Sequence, residues 1–331
     1  MATIYDVARL AAVSPATVSR VLNGRGDVNP ELARRVEQSV RKLSYRPNGV
    51  ARNLRRKVAA VWALVISDIE NPHFTALVRG VEDVARANGH SVVLCNTDED
   101  LERERAYIDV ALSERMAGVV ISPASDRQSA LGPLLDAGVP AVTIDRRLRS
   151  SPVSSVVVSN RRGGYEATAH LAAQGYRRIA CVAGPLRTTT AAQRLAGYRA
   201  ALGEAGLPAD KALVRVADYK EAGGAAAVAE LLRQPDPPDA IFVTNSLMTM
   251  GALRALGEAG VTIGTEVGIV GFDDLPWAPL VSPSLSTVAQ PTYELGRTAA
   301  EMLVHQATDP EARVRSVTLP TELRVRGSSH R

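Results

Sequence analysis

Between residues 3 and 45 apolar side chains recur at helical spacing in three short stretches. In TIYDVARLAAV, Val7, Leu10 and Ala11 share a face behind Thr3, and Asp6 stands three residues beyond it, close to a capping box. In SPATVSRVLNG, Val18, Val21 and Leu22 form the apolar side. Ser14 suits the N-cap, Pro15 the first helical position, and Asn23-Gly24 the stop. In NPELARRVEQSVRKLSY, Asn29 caps, Pro30 takes the first turn, and Leu32, Val36, Val40 and Leu43 keep one stripe. The middle helix has two to three turns and cannot persist alone in water, so packing must hold it. Its outward face, with Pro15, Ala16, Ser19, Arg20 and Asn23, is lean and carries one guanidinium.

From residue 58 the pattern changes to apolar strands alternating with helical stretches. VAAVWALVIS, HSVVLCN, GVVISP, PAVTID and SSVVVSN form one series; RRIACVAG, ALVRVAD, DAIFVTN and VGIVGFDD form a second. Helices are predicted near 75–88, 102–115, 161–174, 191–205, 222–233, 247–259 and 291–306. That alternation predicts an α/β body of parallel sheets covered on both faces, with ligands beyond the carboxyl ends of the strands. Those ends are polar: Ser67-Asp68, Asn96-Thr97, Asp145-Arg146, Asp218, Asn245 and Asp273-Asp274. Carboxylates and amides can fork onto vicinal hydroxyls, so the convergence suits a small polyhydroxylated molecule. Any one of these ends, taken singly, is simply wet.

Three short helices with a three-residue break at 12–14 predict an all-α helix-turn-helix domain, whose second helix enters the major groove. The candidate reading surface is Ser14, Pro15, Ala16, Thr17, Ser19, Arg20 and Asn23. Arg20 can bond guanine in a bidentate manner, Pro15 and Ala16 can touch a thymine methyl, and Thr17 and Ser19 can reach phosphate or base. Charge supports this over a helical hairpin that merely packs. Residues 1–57 hold 12 Lys or Arg against 4 Asp or Glu, whereas the rest of the 331-residue chain holds 27 against 31. Residues 47–57 follow as a basic linker. There Asn48 can cap one turn with Val50, Ala51 and Leu54 on one side, a segment able to fold on binding DNA.

Other chemistry is excluded or weak. Cys95 and Cys181 lie in apolar runs without CxxC spacing and read as buried thiols in a reducing cytoplasm. The N-terminus has no signal-peptide pattern, and no apolar run reaches membrane-spanning length. There is no GxGxxG after a strand, no GxxxxGK[ST], no GxSxG and no HExxH, so neither catalysis nor a cofactor is expected. The five histidines lack ligand spacing, so no metal is expected, and each is read as a solitary surface residue.

TIYDVARLAAVSPATVSRVLNGR, YRPNGVARNL, ENPHF, GVVISP, TIDRR, GYRRIACVAGP, QRLAGYRAAL, GFDD and PSLSTVAQP resemble, in order, the LacI/GalR family of bacterial repressors. The resemblance implies a DNA-binding domain (1–46), a hinge (47–57) and a two-lobed core like periplasmic binding proteins (58–331). The chain would cross between lobes three times, giving a first lobe near 58–158 and 289–317 and a second near 159–288 and 318–329. It further implies that Thr3, Tyr5 and Asn29 hold phosphates and that Ala16, Thr17 and Arg20 face bases. Leu54, with Ala51 nearby, would wedge into the central step of a palindromic operator. Phe74, Asp145, Arg194, Tyr219, Asn245 and Asp273 would line the effector cleft.

The chain departs from the family pattern at Asn245-Ser246 and Ser159-Asn160, where a carboxylate is often found, and at Pro15-Ala16, which are larger residues in some relatives. It ends at VRGSSHR without the leucine-rich tail of tetrameric members, so a homodimer is expected. The expected function is a transcriptional repressor controlled by a small carbohydrate-like effector. The alternatives are a co-repressor system answering to a purine or phosphorylated metabolite, a transport-type carbohydrate-binding protein, and a nucleotide-dependent oxidoreductase.

Overall fold

The computed structural model describes residues 2–22, 28–45, 59–309 and 311–331. Asn23, Ala51 and Leu54, the helix stop at Asn23-Gly24 and the 47–57 hinge lie outside the described residues. The chain divides into two units, residues 1–59 and 60–331.

In the first unit α1 (Ile4–Ala11) opens with a full capping box: Thr3 Oγ1 accepts the Asp6 amide at 3.3 Å and the Asp6 carboxylate accepts the Thr3 amide at 2.9 Å. Ala12, at φ 47°, ends it in the left-handed region and turns the chain into α2 (Pro15–Leu22). Ser14 Oγ accepts the Thr17 amide at 3.1 Å, and Asn29 Oδ1 accepts the Glu31 amide at 2.8 Å to start α3 (Pro30–Lys42). Val7, Ala8, Ala11, Val18 and Val36 form the core. Arg35 ties α3 to the end of α1 by donating to the Ala11 and Ala12 carbonyls at 2.5 and 3.2 Å. The expected inner face of α1 needs one correction. Ala8, not Leu10, completes it; Leu10 lies on the flank and is 44% exposed.

The second unit holds two six-stranded sheets. The strands are β1 (Ala59–Ile66), β2 (Ser91–Asn96), β3 (Met116–Ile121), β4 (Ala141–Ile144), β5 (Ser154–Val158), β6 (Ile179–Ala183), β7 (Val214–Val216), β8 (Ala240–Val243), β9 (Gly268–Phe272), β10 (Ser286–Ala289), β11 (Ser316–Leu319) and β12 (Glu322–Arg324). The first sheet runs β11-β5-β4-β3-β1-β2, all parallel. The second runs β12-β10-β9-β8-β6-β7 and is not wholly parallel as expected, because the edge strand β12 pairs antiparallel with β10. The helices are α4 (His73–Ala87), α5 (Leu101–Ser113), α6 (Gly132–Asp136), α7 (Asn160–Ala173), α8 (Thr189–Glu204), α9 (Glu221–Leu232), α10 (Ser246–Glu258) and α11 (Thr292–Thr308). The chain passes between the sheets after β5, after β10 and after β11, which makes two lobes joined by three crossings.

Three helix pairs approach so closely that glycine is required at the contact. A Cβ on Gly80 of α4 would lie 2.3 Å from the Tyr293 carbonyl oxygen, and one on Gly296 of α11 would lie 2.0 Å from that of Leu77. Gly164 and Gly197 stand in the same reciprocal relation across α7 and α8, as do Gly224 and Gly251 across α9 and α10. The Gly164 contact is with the backbone of Arg194, so this packing fixes where that side chain leaves α8.

Candidate functional site

On α2, Ser14, Ala16 and Arg20 are exposed, and Pro15, Thr17 and Ser19 are partly covered. Arg20 has no carboxylate within ion-pair range among the described residues, so its guanidinium is open to an anion or a base edge. The Ser14 and Thr17 hydroxyls lie 2.9 Å apart and serve the helix start. Thr3 and Asn29 are likewise engaged as caps, whereas Tyr5 is 67% exposed.

The second concentration of chemistry lies between the lobes, at the carboxyl ends of the strands. Phe74, Asp145, Arg194, Tyr219, Asn245 and Asp273 line one cavity, together with Asp68, Asn71, His73, Glu99, Arg146 and Gln290. Asp145, Tyr219 and Asp273 follow β4, β7 and β9 with φ of 65°, 67° and 79°. Non-glycine residues rarely take this left-handed conformation, least of all a bulky one such as tyrosine. Here it turns three side chains from strand ends into the cleft.

Their hydrogen bonds separate available groups from engaged ones. Asp145 makes no side-chain hydrogen bond among the described residues; its nearest cation is Arg146 Nε at 3.6 Å. Asp273 accepts the Ser246 amide at 3.1 Å and a hydrogen bond from Gln290. Arg194 is 4% exposed, packs its guanidinium 3.6 Å from the centre of the Phe272 ring, and donates to Asn160 Oδ1 and the Thr244 carbonyl, both at 2.7 Å. Its second terminal nitrogen has no acceptor among the described residues. Arg146 is bound in a fork by Glu99 at 2.5 and 2.7 Å. Burial opposes its charge, but the Glu99 carboxylate outweighs that and keeps its pKa above the usual arginine value. Asn245 is a structural member: its amide caps α10 through Met248 and donates to the Tyr219 carbonyl. The Tyr219 hydroxyl meets Thr188 and Thr190 at 2.9 and 3.1 Å and Arg146 covers its ring, while Phe74, buried in the first-lobe core, meets the His73 ring edge-on at 5.2 Å.

Four of the expected strand-end residues serve elsewhere. Asn96 accepts the Ile69 amide, Thr97 bonds the Ile66 carbonyl, Asp218 accepts the Lys220 amide, and Asp274 pairs with Arg324 and Arg326. The histidines also need correction. His73 is only 6% exposed; its ring stands 3.9 Å from Asp145 and 3.5 Å from Asp273, and both ring nitrogens are buried without a hydrogen bond. His90 stacks on Trp62, and His170 bonds Ser329. The ENPHF string placed His73 beside Phe74, but nothing in one sequence marks a histidine as cleft-facing.

The lobes are closed on each other. Lys220 Nζ bonds Asp68 at 2.7 Å, and Ser246 Oγ meets Asn71 Oδ1 at 3.0 Å. The cavity left is about 30 Å³, room for a water or two. A sugar-sized ligand therefore requires the lobes to part.

Residues 3–48 match the family of bacterial regulatory proteins named for lacI, and residues 168–329 match a periplasmic binding protein-like domain. The ribose operon repressor of Escherichia coli (strain K12) is 34% identical over 330 residues, 99% of this chain and 100% of that protein. The transcriptional regulator CelR–cellobiose complex is 34% identical with a TM-score of 0.75, covering 99% of this chain and 100% of that one. The lac repressor dimer bound to operator and the anti-inducer ONPF is 28% identical with a TM-score of 0.89, covering 100% of this chain and 99% of that one. With a helix-turn-helix unit, two parallel-type lobes and these end-to-end matches, the chain belongs to the LacI family of bacterial transcriptional regulators.

Proposed function

We propose that the protein is a cytoplasmic transcriptional repressor that binds a two-fold symmetric operator as a homodimer and is released by a neutral sugar held between its lobes. Residues 1–46 serve as the reading domain, 47–57 as the hinge and 58–331 as the effector core. The reading assigns no catalytic group, metal or cofactor. Its carrying observation is the closed cleft, where the spare Arg194 nitrogen and the Asp145 carboxylate, which stands 3.6 Å from Arg146 Nε but accepts no side-chain hydrogen bond from the described residues, line the same small space. A carboxylate accepts and a guanidinium donates, the pair needed for adjacent hydroxyls, while Phe74 supplies an apolar face. Ribose and cellobiose in the names of similar proteins point to the same class.

DNA reading follows from α2. Arg20 and Ala16 project from it, and two copies set about 34 Å apart read successive major grooves. Ala51 and Leu54 of the hinge open the minor groove at the centre, unstacking one step at a cost of a few kcal/mol offset by wider contact. Parting the lobes changes the spacing of the paired hinges. Linkage makes the effect reciprocal, so a sugar that weakens DNA binding itself binds the DNA complex less tightly.

A thermal-shift screen of the purified chain against neutral sugars, sugar alcohols, sugar acids and nucleobases tests the reading, because a ligand of the native state raises the melting temperature. A neutral sugar is expected to raise it, and Arg194→Ala to weaken that response at least about tenfold by removing a charged donor. A response only to nucleobases, or to no sugar at all, contradicts the carbohydrate reading.

A further inference from the structure

Across the first crossing from the effector cleft lies a second, larger cavity of about 670 Å³ that shares no lining residue with it. Arg146 faces the cleft, and its neighbour Arg147 lines this other space. Both lobes contribute: Arg147 and Thr318 from the first, Arg161, Tyr165 and Gln193 from the second.

Its electrostatics are unbalanced. Arg147 donates to Thr318 Oγ1 at 3.0 Å, while its Nε is buried with no hydrogen-bond partner. Among the described residues neither Arg147 nor Arg161 has a carboxylate within 4.0 Å, although Arg162 is paired with Glu166 at 2.6 Å. Glu204, the one carboxylate lining the cavity among the described residues, is held by the Tyr165 hydroxyl at 2.7 Å.

The amino end of α7 opens onto the same space. Ser159, at its N-cap position, does not cap it; the Ser159 hydroxyl donates instead to the Leu319 carbonyl at 3.3 Å. The amides of the first turn are therefore left for another acceptor, at the positive end of the helix dipole. A cavity of this size, two guanidinium groups without a carboxylate partner (Arg147 half-buried and Arg161 exposed) and an uncapped helix start describe one ligand chemistry, a multivalent oxyanion.

We propose that this cavity is a phosphoryl-binding site, separate from the effector cleft, for inorganic phosphate or a small phosphate ester. The oxyanion joins Arg147 of the first lobe to Arg161 and the start of α7 in the second. Asn160, which lines the cavity, also accepts from Arg194, which lines the cleft, so occupancy of the two sites is coupled through one hydrogen bond. The proposal stands independently of the effector's being a sugar.

The test is a thermal-shift titration of the full chain with inorganic phosphate against chloride at matched ionic strength, followed by calorimetry. Phosphate is expected to raise the melting temperature saturably. R147Q/R161Q is expected to weaken phosphate binding at least about tenfold, since each lost charge-assisted contact is strong. Gln193→Glu, which sets a new carboxylate in the cavity, is expected to do the same and decides alone if the double variant does not fold. Glucose 6-phosphate is compared in an Asp145→Asn background, which weakens the cleft and leaves the Arg194–Asn160 hydrogen bond in place. Tighter binding than phosphate assigns an ester, and equal binding assigns the free anion. No response beyond chloride, a response that Gln193→Glu leaves intact, or one that Asp145→Asn alone abolishes would overturn the site.

Discussion

Asp273 and Asp274 are adjacent carboxylates with opposite tasks, and only their surroundings separate them. Asp273 turns into the cleft at φ 79°, whereas Asp274 accepts from Arg326, Thr287 and Arg324 and ties the loop after β9 to β10 and β12. Burial pushes the Asp274 pKa up, but those hydrogen bonds prevail and hold it below the ordinary carboxylate value. A depressed folded pKa contributes stability above the unfolded value, about 4, that is lost as pH falls through the folded one. Asp274→Asn is therefore expected to cost about 1–3 kcal/mol at pH 7 in urea unfolding, with the two proteins converging in acid. An unchanged gap at low pH would mean the cost is not electrostatic. At this scale the sequence could place Asp145, Arg194 and Phe74 at one site because strand ends and motif strings locate them. It could not tell Asp273 from Asp274, or a cleft-facing His73 from a solvated one. Those distinctions depend on a backbone dihedral and on partners more than ten residues away in the chain.

The seven long helices of the body were legible because each fills a stretch of three or more turns between two apolar strand-like runs. β10, β11 and β12 were not, since runs of three or four residues such as STVA, SVTL and ELR have no decisive period. Their pairing is set by the crossings rather than by local preference. The reciprocal glycines of the helix pairs were equally silent, because a glycine within a helix reads only as a weak helix former. Packing makes them unequal. Gly296→Ala would drive a Cβ to 2.0 Å from the Leu77 carbonyl oxygen and is expected to destabilise by about 1–3 kcal/mol or more. Gly203, also helical, has nothing within 4 Å of such a Cβ, and Gly203→Ala is expected to stabilise by about 0.5–1 kcal/mol. Calorimetric melting of the two variants checks the contrast; shifts of the same sign would deny that the helix pairs meet at these glycines.

Over the whole molecule, charge divides as function does. The basic excess is confined to residues 1–57, while the remainder is mildly acidic. Affinity for DNA should accordingly fall steeply with salt. Arg20→Gln is expected to lose about 1–3 kcal/mol and to relax base preference at the contacted position, as read by competition between operator variants. Uniform weakening on every sequence would make Arg20 a phosphate contact instead. Leu54→Ala is expected to weaken operator binding and leave sugar affinity intact; equal operator binding at low salt would remove the wedge from the account.

The most direct test is an equilibrium titration of the purified protein on a duplex selected by it from random DNA, with and without the sugar that raises its melting temperature. The selected sequence should be two-fold symmetric, and the sugar should weaken its binding in the native chain but much less in Arg194→Ala. Selection of no preferred sequence, or an affinity that the sugar leaves unchanged, would contradict the coupling of cleft to operator.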